Sequence, residues 1–138
     1  MNLELFCKDL LKELKVDASN MHIQTKQPLS IRLLLDKHLN VELKEQEIGL
    51  LVSAPLCQIE AEEIEEVYAL LLEANLFGQG TGTFGVLGLT KDGKMLLLNL
   101  DIDFDLTYVQ FKERMEDFLN YIEYWQKKIE LTLEETKS

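Results

Sequence analysis

Apolar residues recur along the first stretch of the chain at three- and four-residue steps: Leu3, Phe6, Leu10 and Leu14, with Cys7 and Leu11 beside them. Such spacing lines up one stripe of side chains and predicts an amphipathic helix over residues 3–14. Val16 to Asn20 carries Asp, Ser and Asn, whose side chains compete for nearby backbone groups, and predicts a turn. The period then changes to two. Ile31, Leu33 and Leu35 alternate with Ser30, Arg32 and Leu34, and Val41 and Leu43 alternate with Asn40, Glu42 and Lys44. This is the pattern of strands with one face against a core. A third run from Ile48 to Ala54 is closed by Pro55, which has no N–H for a ladder and suits a strand end. His22 to Lys26 reads as a weak strand ahead of these.

Further on, Glu60, Glu62, Glu63, Glu65 and Glu66 lead into Ile64, Val67, Tyr68, Leu71 and Leu72, placing negative charge at the positive end of a helix dipole. This second helix is expected to reach Asn75 or Leu76 and to stop near Gly78, a residue that readily takes a left-handed terminating conformation. Phe84–Leu89 and Met95–Leu100 flank Lys91-Asp92-Gly93-Lys94, a hairpin signal. Thr107, with Gln110 three residues later, reads as a capping box opening a last helix along Phe111, Met115, Phe118, Leu119, Ile122, Trp125 and Ile129. A polar tail is expected after Leu133. The order is helix, three or four strands, helix, two strands, helix, or α-β-β-β-α-β-β-α without the weak strand. It predicts an α+β protein with helices packed on a twisted antiparallel sheet, as a single domain over residues 1–133 with a tail over 134–138.

The 138 residues suffice to bury a core without disulfides or metals. With 25 acidic against 14 basic residues the net charge is -11, so nucleic acid and anionic membrane surfaces repel the chain as a whole. Protein partners, basic ones in particular, fit better. Cys7 and Cys57 have no spacing partner and read as two free thiols of a reducing compartment. Lys8 and Asp9 interrupt the N-terminal apolar run before it could serve as a signal peptide or membrane span, which leads to the expectation of a cytoplasmic protein.

Catalytic chemistry finds little support. Gly80-Thr81-Gly82-Thr83-Phe84-Gly85 satisfies the GxGxxG string, but a helix precedes it and a strand follows, the reverse of a dinucleotide-binding turn. His22, His38, Cys7 and Cys57 are dispersed and show no ligand spacing, and no Gly-x-Ser-x-Gly elbow occurs. The carboxylates from Glu60 to Glu66 read as a solvated helix start. No catalytic residue, cofactor or metal is expected.

The apolar count on the second helix exceeds one core-facing stripe. Val67, Leu71 and Ala74 lie near one side, and Leu70 and Leu72 widen the arc. Either a two-fold homodimer covers the surplus, or the helix is sandwiched between the sheet and a helix of its own chain. Leu34 and Leu51 likewise fall on the outward face of the early strands, where a partner peptide or the chain's own helices would cover them.

The segment Leu70-Leu71-Leu72-Glu73-Ala74-Asn75-Leu76-Phe77-Gly78, the glycine-rich passage into a strand, the Asp92-Gly93 turn and the final helix from Phe111 through Phe118 to Glu123-Tyr124-Trp125 resemble the class I type III secretion chaperones, the CesT/Tir-chaperone family. The resemblance is strongest from Ile64 to Lys128. It implies an acidic bacterial cytoplasmic homodimer that binds the N-terminal segment of a secreted effector and keeps it extended without ATP. Carried over, it implies dimer contacts at Leu70, Leu71, Ala74, Leu76, Phe84 and Val86. By element order it also implies a cargo groove near Phe6, Leu10, Ile31, Leu33, Leu35, Val41 and Leu43, to which the outward Leu34 and Leu51 are added. The competing expectation is a regulatory or sensory interaction module on a similar α+β scaffold.

Overall fold

The computed structural model describes residues 2–37, 39–77 and 85–137. Their order is α1 (Leu3–Glu13), β1 (Met21–Gln24), β2 (Ser30–Asp36), β3 (Leu39–Glu45), β4 (Leu50–Gln58), α2 (Ile64–Phe77), β5 (Gly85–Leu89), β6 (Met95–Ile102) and α3 (Tyr108–Lys137), with 3-10 turns at Ala18–Asn20 and Ala61–Glu63. The strands are ordered β1-β2-β3-β4-β6-β5 in one six-stranded sheet, antiparallel wherever a register is defined among the described residues. The α+β class is as the element order predicts. The weak strand expected at His22–Lys26 is β1, so four strands precede α2. Two units make up the chain, Met1–Ala54 with Asp101–Asp117 and Pro55–Leu100 with Phe118–Ser138.

In the first unit, the Asn2 side chain caps α1 by accepting the Leu5 N–H at 3.2 Å, and Glu4 and Lys12 sit at the ends their charges favour. Leu3, Cys7, Leu10 and Leu11 are buried. Residues 16–20 form the expected turn: the Asp17 carboxylate accepts the Ser19 N–H at 2.9 Å, a bond that draws its pKa below the ordinary value. On the sheet, Ile31 pairs with Leu43 and Leu33 with Val41, while Leu43 also pairs with Val52. All five are fully buried, so the inner face is a cross-strand lattice of branched side chains. The run Leu33-Leu34-Leu35 breaks strict alternation because the register slips between Leu34 and Asp36, leaving Leu35 as the extra residue of a bulge. At the start of α3, the Thr107 N–H donates to Gln110 Oε1 at 3.0 Å and the Gln110 N–H to Thr107 Oγ1 at 3.2 Å, the expected capping box. Phe6 meets Tyr108 edge-on and tilts against Phe111, at 5.6 and 5.4 Å between centroids.

Two strand limits differ from the expectation. Ile48 does not start the fourth strand but sits in the β3–β4 turn, 92% exposed, where the Gln46 N–H bonds to the Gly49 carbonyl. Pro55 does not end β4, which runs to Gln58. The register with β3 stops at Ser53, so the missing N–H falls beyond that ladder.

In the second unit, β5 and β6 pair from Gly85↔Leu100 to Leu89↔Leu96. Their turn is held by Thr90 Oγ1 donating to Asp92 Oδ1 at 2.6 Å and by the Lys94 N–H donating to the same oxygen at 3.0 Å, with Gly93 at φ +71. The Asp-Gly hairpin is as expected. Edge strand β5 is blunted from α2: Asn75 Nδ2 donates to the Leu87 carbonyl at 2.9 Å, and the Leu87 N–H donates to Asn75 Oδ1 at 2.8 Å. One amide side chain thereby stands in for a strand neighbour. From α3 this unit takes Phe118, Ile122, Trp125 and Ile129, all buried. The helix continues to Lys137, past the point where a frayed tail is expected, because Glu134 and Glu135 are good helix formers and nothing after Leu133 breaks the helix.

Two predictions test these assignments. Gly49 has φ +86, and a Cβ there would lie 2.7 Å from the Ile102 carbonyl oxygen. Gly49→Ala should therefore destabilise the protein by about 2 kcal/mol or more in urea unfolding, whereas Gly88→Ala, whose nearest contact is the Asn99 amide at 3.5 Å, should change stability little. Asn75→Ala should cost about 1–3 kcal/mol in the same assay, since it orphans both backbone groups of Leu87.

Candidate partner-binding surfaces

Neither cysteine is set up as a nucleophile. Burial pushes the Cys7 thiol up to about 12. The half-buried Cys57 thiol is raised as well, by burial first and by the nearby Glu63 carboxylate second. Among the described residues no group of three or more His, Cys, Asp or Glu is placed to hold a metal ion, and no helix is long and apolar enough to cross a membrane. His38 and all of the GxGxxG string except Gly85 lie outside the described residues. What the surface does carry is unburied apolar side chains, in both units.

In the second unit, α2 buries Val67 and Ala74 and half-buries Leu70 and Leu71. Tyr68, Leu72 and Leu76 follow one another at four-residue steps along the exposed side, with Leu72 73% and Leu76 78% exposed, and Val86 of β5 is half exposed too. Of the residues expected at a dimer contact, Leu76 and Val86 are therefore available to a partner. Leu70 and Leu71 are partly so, and Ala74 is core. Phe84 lies outside the described residues. Tyr68 is the member that the sequence reading left out, while Leu72 stood in its surplus apolar arc but not among the dimer contacts. Their i, i+4, i+8 relation to Leu76 is the signal that finds them, once Val67 and Ala74 are known to face inward.

In the first unit, Leu10, Ile31, Leu33, Val41 and Leu43, expected near a cargo groove, are fully buried. They are core, and in this conformation they have no surface to offer. Phe6, Leu34, Leu35 and Leu51 are half-buried. Register separates the two outward leucines: Leu34 stands opposite Asn40 and Leu51 opposite Lys44, with the 3.5 Å Arg32–Glu42 ion pair on the row between them. They do not form one patch.

A different apolar surface opens at the sheet edge. Met21 pairs with Leu33 and Ile23 with Ile31, so both side chains continue the inner-face rows onto edge strand β1. There the cover runs out, and both are only partly buried. Elsewhere in this unit Leu5 of α1 and Leu14, just past its end, are also partly exposed. Ile23, Leu5 and Leu14 went unread as site residues because exposure depends on what covers a position, and periodicity carries no record of that.

The fold is shared with solved structures of low sequence identity. The ExsC-ExsE complex matches with a TM-score of 0.70 at 17% identity over 91% of each chain. The Yersinia pestis type III secretion chaperone SycH, solved with a stable fragment of YscM2, matches with a TM-score of 0.57 at 20% identity over 86% of this chain and 95% of that one. YbjN from E. coli, described as a putative transcription regulator, matches with a TM-score of 0.57 at 14% identity over 93% and 94%. At such identities the likeness is one of fold. No curated protein matches the chain by sequence. The profile of the Tir chaperone protein (CesT) family, however, matches residues 7–126, most of the chain and both of its units, and the chain belongs to that family.

Proposed function

We propose that this protein is a bacterial cytoplasmic chaperone, without enzymatic activity, that binds the N-terminal segment of a type III secreted effector and keeps it extended and competent for secretion. In this reading it works as a two-fold homodimer joined through α2 and β5. Membership of the Tir chaperone family carries the proposal. Physical support comes from the two places where large apolar side chains stay in water, each with a distinct use. The stripe of Tyr68, Leu72, Leu76 and Val86 is self-complementary surface for a second copy, since a two-fold axis lays a stripe against its own image. The β1 edge, with Ile23 and Met21 beside an open row of backbone groups, suits an extended segment that adds its own backbone and places alternate side chains on the apolar rows. Binding by burial and backbone pairing needs no nucleotide. The neighbours solved as complexes, ExsC with ExsE and SycH with a YscM2 fragment, agree with a scaffold built to hold another chain.

Light scattering after size exclusion tests the dimer. Leu72→Glu with Leu76→Glu removes four leucines from a two-fold interface. At about 1.5 kcal/mol each the loss is roughly 6 kcal/mol, or about four decades in Kd, so the variant should run as a folded monomer. Co-expression with the product of an adjacent gene tests the client. The expected result is a stable complex in which the client's N-terminal segment resists limited proteolysis. Ile23→Asp should release the client and leave the dimer intact. A monomeric wild-type protein that retains and protects nothing would defeat the reading.

A further inference from the structure

Strand β5 stands last in the sheet order, beside β6. Its residues Gly85-Val86-Leu87-Gly88-Leu89 include no charge and no proline, the features that commonly keep an edge from pairing with another chain. The Thr90 N–H donates to the Met95 carbonyl at 3.0 Å, so even-numbered positions of the strand turn their backbone groups toward β6. Odd-numbered positions turn theirs away. The two bonds from Asn75 agree with that parity, since both reach Leu87.

In an antiparallel ladder, two residues opposed as a hydrogen-bonded pair exchange both of their N–H···O bonds. Asn75 reproduces this exchange with one side chain: Nδ2 donates to the Leu87 carbonyl at 2.9 Å, and Oδ1 accepts the Leu87 N–H at 2.8 Å. A second β5 fits the same place. A two-fold axis at Leu87 would set Leu87 against its own image as such a pair, with Val86 opposite Gly88 and Gly85 opposite Leu89. Each flanking pair then includes a glycine, and no charge opposes the approach. Ala74 is the last buried position among the described residues of α2, and Leu76 beyond it stands almost wholly in solvent. The hold of the helix end on the strand therefore falls to Asn75.

We infer that Asn75 is a self-blocking contact. Its amide fills the two hydrogen-bonding positions through which the β5 of a second copy would enter the sheet, and so keeps copies from joining strand to strand. The occupant it excludes is a second copy, because the strand matches itself both in its lack of charge and in the placement of its glycines. Helix end and strand lie within one unit, and neither the inference nor its test depends on the effector-binding reading.

Amide hydrogen exchange and light scattering on the full-length protein read the contact. In the wild type the Leu87 amide should be protected to the same degree at every protein concentration. In Asn75→Ala it should exchange roughly tenfold faster or more in dilute solution, as expected for an edge amide released to water. On concentration this variant should grow into species heavier than the wild type, with Leu87 protected again inside them. Asn75→Ser, whose hydroxyl is too short to reach both groups, should behave alike and serves if the alanine variant does not fold. Asn75→Asp loses the donor but leaves a charge beside the edge, so it should lose stability without growing heavier. Wild-type protection of Leu87 that rises with concentration would overturn the inference, as would alanine and serine variants that keep the wild-type mass. Equal growth of the aspartate variant would count against it in the same way, since lost stability and not an opened edge would then be the cause. Heavy species in which Leu87 stays unprotected would also defeat it.

Discussion

Helix α2 sits under a constraint from which the rest of the surface chemistry follows: one side of it must close a core while an adjoining position must also quiet a sheet edge. Val67 and Ala74 close the core, and Asn75 bonds both backbone groups of Leu87 on edge strand β5. A helix held by those residues cannot rotate to hide Tyr68, Leu72 and Leu76 without breaking the amide clamp and withdrawing Val67. The exposed stripe is thus the geometric remainder of two inward commitments. Leaving it in water carries a cost that burial against another surface would relieve.

The two sheet edges are treated differently, which bears on how the fold divides its work. At β5 the open backbone is satisfied at Leu87 by a side chain of its own chain. At β1, the other end of the sheet, apolar rows run out to Met21 and Ile23 with only partial cover. Unprotected edges invite pairing, which is why proteins usually blunt or cover them. The small 3-10 turn at Ala18–Asn20, fixed by the Asp17 cap, delivers the chain into β1 at that edge.

The likeness to YbjN shows that this arrangement of helices and strands does not belong to secretion alone. Fold and family therefore carry different weight. The fold supplies a sheet with open edges and helices with surplus apolar faces, and the family match over residues 7–126 is what ties these features to a chaperone.

Much of the molecule was legible in the residues themselves, because local chemistry decides it. The stripe of α1, the Thr107–Gln110 box, the Asp92-Gly93 turn and the α3 stripe from Phe111 to Ile129 each depend on neighbours within a few positions in sequence, and each stands where the pattern put it. Periodicity also separated two faces on β2, β3 and β4. It could not say which apolar residues stay in water. Leu10, Ile31, Leu33, Val41 and Leu43 look no more buried in sequence than Leu72 or Leu76, yet the first five vanish into the core while the last two stand almost wholly in solvent. That choice rests on what packs over each position, as do the bulge that absorbs Leu35, the passage of β4 through Pro55 and the role of Asn75 at the β5 edge. Each turns on register or on a contact between residues distant along the chain, and such pairings exist only once the tertiary structure has formed.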